Sequence, residues 1–327
     1  MSSAQALLAK VEELVGADLQ EVEQIFHTEL KSWHPYVADV AAHSARFRGK
    51  RLRPTLLLLT AAAAGKLTHD HKVLGAVIEM IHTATLVHDD VLDESDIRRH
   101  VATVNARWNN ETSILFGDYL FTHAFHLASE LESTFACRLI GRATNLVCEG
   151  ELAQIHERGN LDLTEETYFK IIEGKTAELC AVACQLGAHF ACSDPNIVES
   201  LTEYGRCLGI AFQIADDLLD LQGSEEQTGK SLGTDLQKQK LTLPIIHLLQ
   251  QASPEDAAQI RELLANPQPD TSAKLEEFFE QYDVLNYVLG RASEYTALAR
   301  KQLECLPDSP ARRILEEFTE FVTQRAF

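Results

Sequence analysis

The chain has 327 residues, of which 45% are hydrophobic and 24% charged, with a formal net charge of −20. Such a composition supports a large buried core and excludes a disordered chain. Its acidity excludes non-specific nucleic-acid binding, which needs Lys and Arg to neutralise phosphates.

Helical periodicity runs from end to end, with no convincing alternating strand and no Asn-Gly hairpin. Helices are expected near 5–15, 18–32, 35–46 and 53–65, the last closed by Gly65-Lys66-Leu67-Thr68. Next come 70–93, 111–129 and 133–158, ending at Gly159-Asn160. Helices at 165–190 and 195–222 follow, separated by Ser193-Asp194-Pro195. The C-terminal part reads as 240–251, 254–266, 272–306 and 309–325. Ser253 is an expected N-cap with Pro254 in the first turn, and Pro267-Gln268-Pro269-Asp270 marks a break. The stretches 56–64 and 208–221 are apolar on more than one side, which places them inside a helix bundle. No linker divides the chain, so one domain over 1–327 is expected.

The 7 cysteines include no CxxC pair, and Cys180 and Cys184 have no histidine at ligand spacing, so buried reduced thiols are expected. The N-terminus lacks the basic start and apolar stretch of a signal peptide, and no apolar run approaches the ~18 residues of a membrane span. A cytoplasmic protein without a transmembrane segment is expected.

One motif occurs twice: Asp89-Asp90-Val91-Leu92-Asp93 and Asp216-Asp217-Leu218-Leu219-Asp220. On a helix, positions i and i+4 share a face, so Asp89 stacks with Asp93 and Asp216 with Asp220. A solvated acidic face would explain such clusters poorly, because the preceding Ala84-Thr85-Leu86-Val87 and Leu208-Gly209-Ile210-Ala211-Phe212 are apolar runs. Carboxylate pairs of this kind suit Mg²⁺, which completes its octahedron with water and substrate phosphate. The cations gather near these motifs or at glycine turns. They are Lys50, Arg51 and Arg53 in Gly49-Lys50-Arg51-Leu52-Arg53-Pro54, the pair Arg98-Arg99, Lys175 after Gly174, and Lys230 and Lys240 around Gly233-Thr234-Asp235. Together the two sets describe a metal-bridged diphosphate, with the metal drawing electrons from the leaving group.

The stretches GKRLRP (49–54), EMIHTATLVHDDVLDESDIRR (79–99), FGDYLF (116–121), GKTAEL (174–179), FQIADDLLDLQG (212–223) and GKSLGTDLQKQKLTLP (229–244) resemble the trans-isoprenyl (polyprenyl) diphosphate synthase family, most like its medium- and long-chain members. The resemblance implies an all-α, single-domain bundle of antiparallel helices around a central cavity, of the isoprenoid synthase type, and a homodimer. It implies an isopentenyl diphosphate site at Lys50, Arg53, His82 and Arg99. The allylic diphosphate site falls at Arg98, Lys175, Thr176, Gln213, Lys230 and Lys240. Asp89, Asp93 and Asp216 are the implied direct ligands of about three Mg²⁺, supported by Asp90, Asp217 and Asp220. The implied reaction is ionisation, condensation and proton elimination, with Lys175, Thr176 and Gln213 steadying the cation. Two departures fall in loops: His100-Val101-Ala102-Thr103 stands where the family often has Gly-Lys-Pro-Thr, and Lys238-Gln239-Lys240 where Glu-Gly-Lys is common.

Product length is expected to follow the wall beneath the first motif. In the family, aromatic residues four or five positions before the first aspartate stop growth early. Here those positions are Ala84 and Thr85, both small. Each further helical turn adds about 5.4 Å of depth, which leads to a product longer than C15, in the range C25–C40, unless another helix supplies a floor through Phe121 or Phe125. Three alternatives are weaker. A short-chain synthase would need that floor. A class I terpene cyclase would need a second metal motif of Asn/Asp, Ser/Thr and Glu, whereas this register gives Asp216, Asp220 and Ser224. A non-catalytic subunit of a heteromeric synthase would usually have lost motif residues that this chain keeps.

Overall fold

The computed structural model describes residues 3–47, 49, 51–222, 238–266 and 271–325. Among them the fold is all-α apart from one two-stranded ribbon. The helices are α1 Ser3–Glu29, α2 Pro35–Ser44, α3 Leu52–Ala64, α4 His69–Leu92, α5 Val104–Arg107, α6 Asn110–Ser129 and α7 Thr134–His156. They continue with α8 Glu165–Ile172, α9 Glu178–Ala191, α10 Pro195–Gln222, α11 Leu243–Gln251, α12 Pro254–Ala265, α13 Thr271–Gln281, α14 Val284–Gln302 and α15 Pro310–Arg325. The chain forms two compact units. The first comprises Met1–Thr144, Leu179–Gly205 and Arg300–Phe318, and the second Asn145–Glu178, Arg206–Ala299 and Thr319–Phe327.

In the first unit α4 packs against α1, α3 and α6. Leu56, Leu57, Leu58 and Leu59 of α3 are all fully buried, as a helix apolar on every side requires. The expected break near Gly16 is absent. Val11, Val15, Val22 and Phe26 form one buried stripe along α1, and its burial outweighs the roughly 1 kcal/mol that a mid-helix glycine costs. Helix α4 begins with a capping box in which Thr68 and His71 satisfy each other's backbone and side-chain groups. It ends at Asp93, inside the first aspartate motif.

The second unit has its own core, in which Tyr168 and Ile172 of α8, Ile210, Ile214 and Leu218 of α10, and Leu243 of α11 pack together with Val284 and Val288 of α14. Three features here and in the first unit depart from the sequence expectations. The helix expected over 165–190 is interrupted by a π-helical turn at Glu173–Ala177. The helix expected over 272–306 stops at Gln281 and restarts at Val284, with Asp283 at φ 51°. An unexpected antiparallel ribbon pairs β1 (Ile97–Arg98) with β2 (Val101–Ala102), its strands too short to leave a periodicity. Not all thiols are buried: Cys148 and Cys305 are exposed. No described helix is long and apolar enough to cross a membrane.

Candidate active site

The first unit gathers cations around His82, one of which, Arg98, also reaches the first aspartate motif. Arg53 begins α3, where its Nη1 lies 3.2 Å from His82 Nε2 on α4. Because a guanidinium only donates, that imidazole nitrogen accepts. Burial, and then the charges of Arg53, Arg99, Arg98 and Arg51, hold His82 well below its ordinary pKa, so the ring is neutral. Arg99 donates to Phe47 O at 2.6 Å. Gly49 leaves space for its guanidinium, since a Cβ there would lie 2.9 Å from Arg99 Cζ. Burial and the neighbouring Arg98 lower the Arg99 pKa, while Glu79 opposes them. Like charges crowded in this way are unfavourable unless an anion joins them. Lys50 lies outside the described residues.

Arg51, the remaining cation of that stretch, has a different task. Its guanidinium meets Glu79 at 2.5 Å and Glu23 at 3.2 Å, tying the start of α3 to α4 and α1. Its own φ of 50° fits the sharp entry into α3. The spacing did not distinguish Arg51 from Arg53, because that depends on which of the two faces the carboxylates of α1 and α4.

Within the motif the three aspartates differ. Asp90 is 1% exposed and receives the Arg98 Nε–H at 2.8 Å, whereas Asp89 and Asp93 are part-exposed. Asn105 and Ser95 fasten the turn after the motif: Ser95 N donates to Asp90 O at 2.9 Å, and Asn105 Nδ2 to Ser95 O at 3.1 Å. Further up α4, Ala84 is fully buried, while Thr85 is part-exposed and donates its hydroxyl to His82 O at 2.8 Å.

The second unit repeats this sorting with other partners. Asp217, 4% exposed, accepts from the Tyr168 hydroxyl at 2.6 Å and from Gln213 Nε2 at 2.7 Å. Asp216 and Asp220 are part-exposed. Gln213 in turn receives the Thr176 hydroxyl proton at 2.8 Å, forming a chain from Thr176 through Gln213 to Asp217. Lys175 donates to Gln154 at 2.9 Å and pairs with Glu151. Both Lys175 and Thr176 sit in the π-turn, a geometry that widens a helix locally and concentrates at functional sites. Two glycines permit it: a Cβ at Gly150 would lie 2.8 Å from Lys175 N, and one at Gly174 2.8 Å from Leu146 O. Arg206 bridges Glu173 at 2.9 Å and Glu178 at 2.8 Å, one carboxylate at each end of the turn.

Tyr168, Glu151 and Gln154, which the sequence reading missed, are partners of the candidate residues Asp217 and Lys175. The available signal was the Gly150–Gly174 pair, which marks where α7 approaches the Lys175 turn. Lys240 lines a recess of about 200 Å³ with Gly159, Leu161 and Ile245. The neighbouring Gln239 has φ 55° and accepts from Gly159 N at 2.9 Å. Lys230 lies outside the described residues.

Among the described residues no cluster of three or more His, Cys, Asp or Glu side chains is arranged to enclose a metal. What each unit offers is one pair of part-exposed carboxylates, a donor set that fits a hard divalent ion taking its other ligands from water and phosphate oxygens.

The polyprenyl synthetase family model matches residues 34–282, a stretch that contains both aspartate motifs. The chain belongs to this family. Octaprenyl diphosphate synthase of Escherichia coli (strain K12) is 38% identical over 97% of this chain and 99% of its own length. Among solved structures, a decaprenyl diphosphate synthase from Rhodobacter capsulatus has a TM-score of 0.92 and 35% identity, covering 98% of this chain and 99% of the other. A polyprenyl synthase from Caulobacter crescentus, complexed with calcium and isoprenyl diphosphate, has a TM-score of 0.91 and 34% identity, covering 96% and 97%. These structural neighbours share the helical fold described above.

Proposed function

We propose that this polyprenyl synthetase is a trans-prenyltransferase that condenses isopentenyl diphosphate with an allylic diphosphate, geranyl or farnesyl, to give a linear all-trans polyprenyl diphosphate longer than C15, in the range C25–C40. The observation that carries the reading is the shared sorting of two aspartate motifs: a buried, hydrogen-bonded middle residue and part-exposed flanking carboxylates. Direct metal ligation then falls to Asp89, Asp93 and Asp216, while Asp90, Asp217 and Asp220 orient and support. The ion held there would be Mg²⁺, about three per site, and when bound it would supply the electron withdrawal from the diphosphate that ionisation of the allylic C–O bond needs. The calcium and isoprenyl diphosphate of the Caulobacter crescentus structure support a divalent ion at such a site.

The chain's own residues divide the remaining work. The positive cluster of Arg53 and Arg99 beside neutral His82, together with Lys50, binds isopentenyl diphosphate. Arg98, Lys230 and Lys240 hold the allylic diphosphate together with Lys175, Thr176 and Gln213. The last three also steady the allylic cation through fixed polar atoms, which cost little reorganisation as charge develops. The new C–C bond forms at the isopentenyl double bond, and the released diphosphate takes the proton that restores an alkene. The protein works as a cytoplasmic homodimer, each chain a single synthase domain.

The product range rests on Ala84 and Thr85, neither of which projects a large side chain from α4. Incubation with labelled isopentenyl diphosphate, Mg²⁺ and farnesyl diphosphate, followed by dephosphorylation and sizing, should give a ladder ending between C25 and C40. A ladder ending at C15 or C20 contradicts the length, and cyclic hydrocarbon contradicts the reaction. Thr85→Phe should shorten the product by one or more isoprene units. The substitution is made at Thr85 because an aromatic ring at fully buried Ala84 would overpack the core.

A further inference from the structure

The ribbon that carries Arg98 and Arg99 is turned by residues in an unfavourable conformation. Arg99 has φ 51° and His100 φ 63°, the left-handed pair that a two-residue hairpin connection requires and that glycine adopts most readily. Non-glycine residues stay there only when their surroundings over-determine them.

One short stretch of chain supplies that constraint at the turn and on the second strand of the ribbon. From the loop after α2, Phe47 O receives Arg99 Nη1 at 2.6 Å. From α2 itself, buried His43 places Nε2 2.7 Å from Ala102 O. Arg107 Nη1 lies 2.8 Å from His43 Nδ1. Arg107 can only donate, so Nδ1 accepts and the ring proton sits on Nε2, aimed at the Ala102 carbonyl. The imidazole is held edge-on to Phe47 and Trp108, with ring centroids 5.5 and 5.2 Å away. Arg107 lies over the Trp108 ring at 4.6 Å and reaches Asp39 at 3.7 Å, which fixes it in turn.

We infer that His43, oriented by Arg107, is a positioning residue: it pins the second strand of the ribbon so that the Arg99–His100 turn keeps its left-handed form and Arg99 stays aimed at isopentenyl diphosphate, with Arg98 beside it at the allylic diphosphate. This rests on the reading of those two arginines as substrate ligands. A buried histidine hydrogen-bonded at both nitrogens, on the helix that faces a strained turn, is more specific than core packing alone requires.

Two readouts test it, steady-state kinetics with Mg²⁺ and hydrogen exchange of the 97–103 amides. His43→Phe keeps the ring and removes both hydrogen bonds. It should raise KM for isopentenyl diphosphate about tenfold, the loss of one good hydrogen bond, leave kcat within about threefold, and speed exchange at 97–103. His43→Gln, which retains a donor and an acceptor, should recover most of the loss. His100→Gly, by removing the conformational cost, should recover most of it in the His43→Phe background. Arg107→Met, at an exposed position, gives a smaller effect in the same direction and serves if His43→Phe does not fold. Wild-type KM and exchange in both His43→Phe and Arg107→Met overturn the proposal, as does a loss that neither His43→Gln nor His100→Gly repairs. Arg99→Ala separates the two claims. If it raises KM while His43→Phe does not, the pin is wrong. If Arg99→Ala leaves KM unchanged while His43→Phe speeds exchange, the substrate reading is wrong and the pinned ribbon loses its assigned role.

Discussion

In α4 the middle aspartate, Asp90, is gripped by the guanidinium of Arg98, and in α10 its counterpart Asp217 is held by a phenol and a carboxamide. The five-residue pattern is the same, but the surroundings are not. Beside Asp90 stands Arg98, and Arg98, Arg99 and Arg53 act on neutral His82 further back along α4. There burial first and then these charges lower the pKa of His82, as burial and Arg98 lower that of Arg99. Around Asp217 stand Tyr168, Gln213 and Thr176, and the nearby cation, Lys175, is matched by Glu151. The first set suits recognition of an anion through fixed positive charge. The second suits polar stabilisation of a developing cation, which a crowd of guanidinium groups would repel. A motif repeated in sequence thus has two electrostatic settings, chosen by the side chains that reach its middle aspartate: Arg98 in one, Tyr168 and Gln213 in the other.

The contrast should be visible when each partner is removed. Arg98→Met leaves a buried carboxylate without its guanidinium, and chemical denaturation should show a loss of about 3 kcal/mol or more. Asp90→Asn and Asp217→Asn should each lower kcat about 10–100-fold, as removal of a ligand-orienting group does. Asp90→Asn should also weaken binding of inorganic diphosphate, measured calorimetrically, more than Asp217→Asn does, because it misplaces the charged Arg98 rather than the neutral Gln213. Equal effects of the two on diphosphate affinity would erase the distinction. Tyr168→Phe, which removes a single neutral donor, should cost only about 1 kcal/mol of stability. A larger loss than in Arg98→Met would reverse the comparison.

The smallest effect expected is one of pH. Burial, followed by the surrounding arginines, depresses the folded pKa of His82 below its ordinary 6.5. As pH falls through about 6.5 the unfolded chain takes up a proton there that the folded chain refuses, so stability decreases on acidification. His82→Gln should flatten the fall in thermal midpoint between pH 7 and pH 5, and a slope unchanged from wild type would show that His82 is not the group concerned.

Much of this was legible in the sequence, for reasons that can be named. Apolar stretches such as 56–59 have no exposed face to misread, and both aspartate motifs fall at the expected helices, α4 with its cap Asp93 and α10. The π-turn under Lys175 was not legible, because it depends on close backbone approach at Gly150 and Gly174 rather than on periodicity. The ribbon at 97–102 was missed because its four paired residues are too few to show alternation. Tyr168 and Arg51 were missed as organisers because their partners, Asp217 and the Glu23–Glu79 pair, lie far along the chain.

The most direct test of the central proposal, that each aspartate set is needed for a metal-dependent ionisation, is incorporation of labelled isopentenyl diphosphate measured against Mg²⁺ concentration in wild type, Asp89→Ala and Asp216→Ala. Loss of a metal ligand worth several kcal/mol in the transition state predicts a fall on the order of 10³-fold in each variant, with no activity in any of the three when the metal is chelated. Wild-type turnover in either variant, or turnover that survives chelation, would contradict the account.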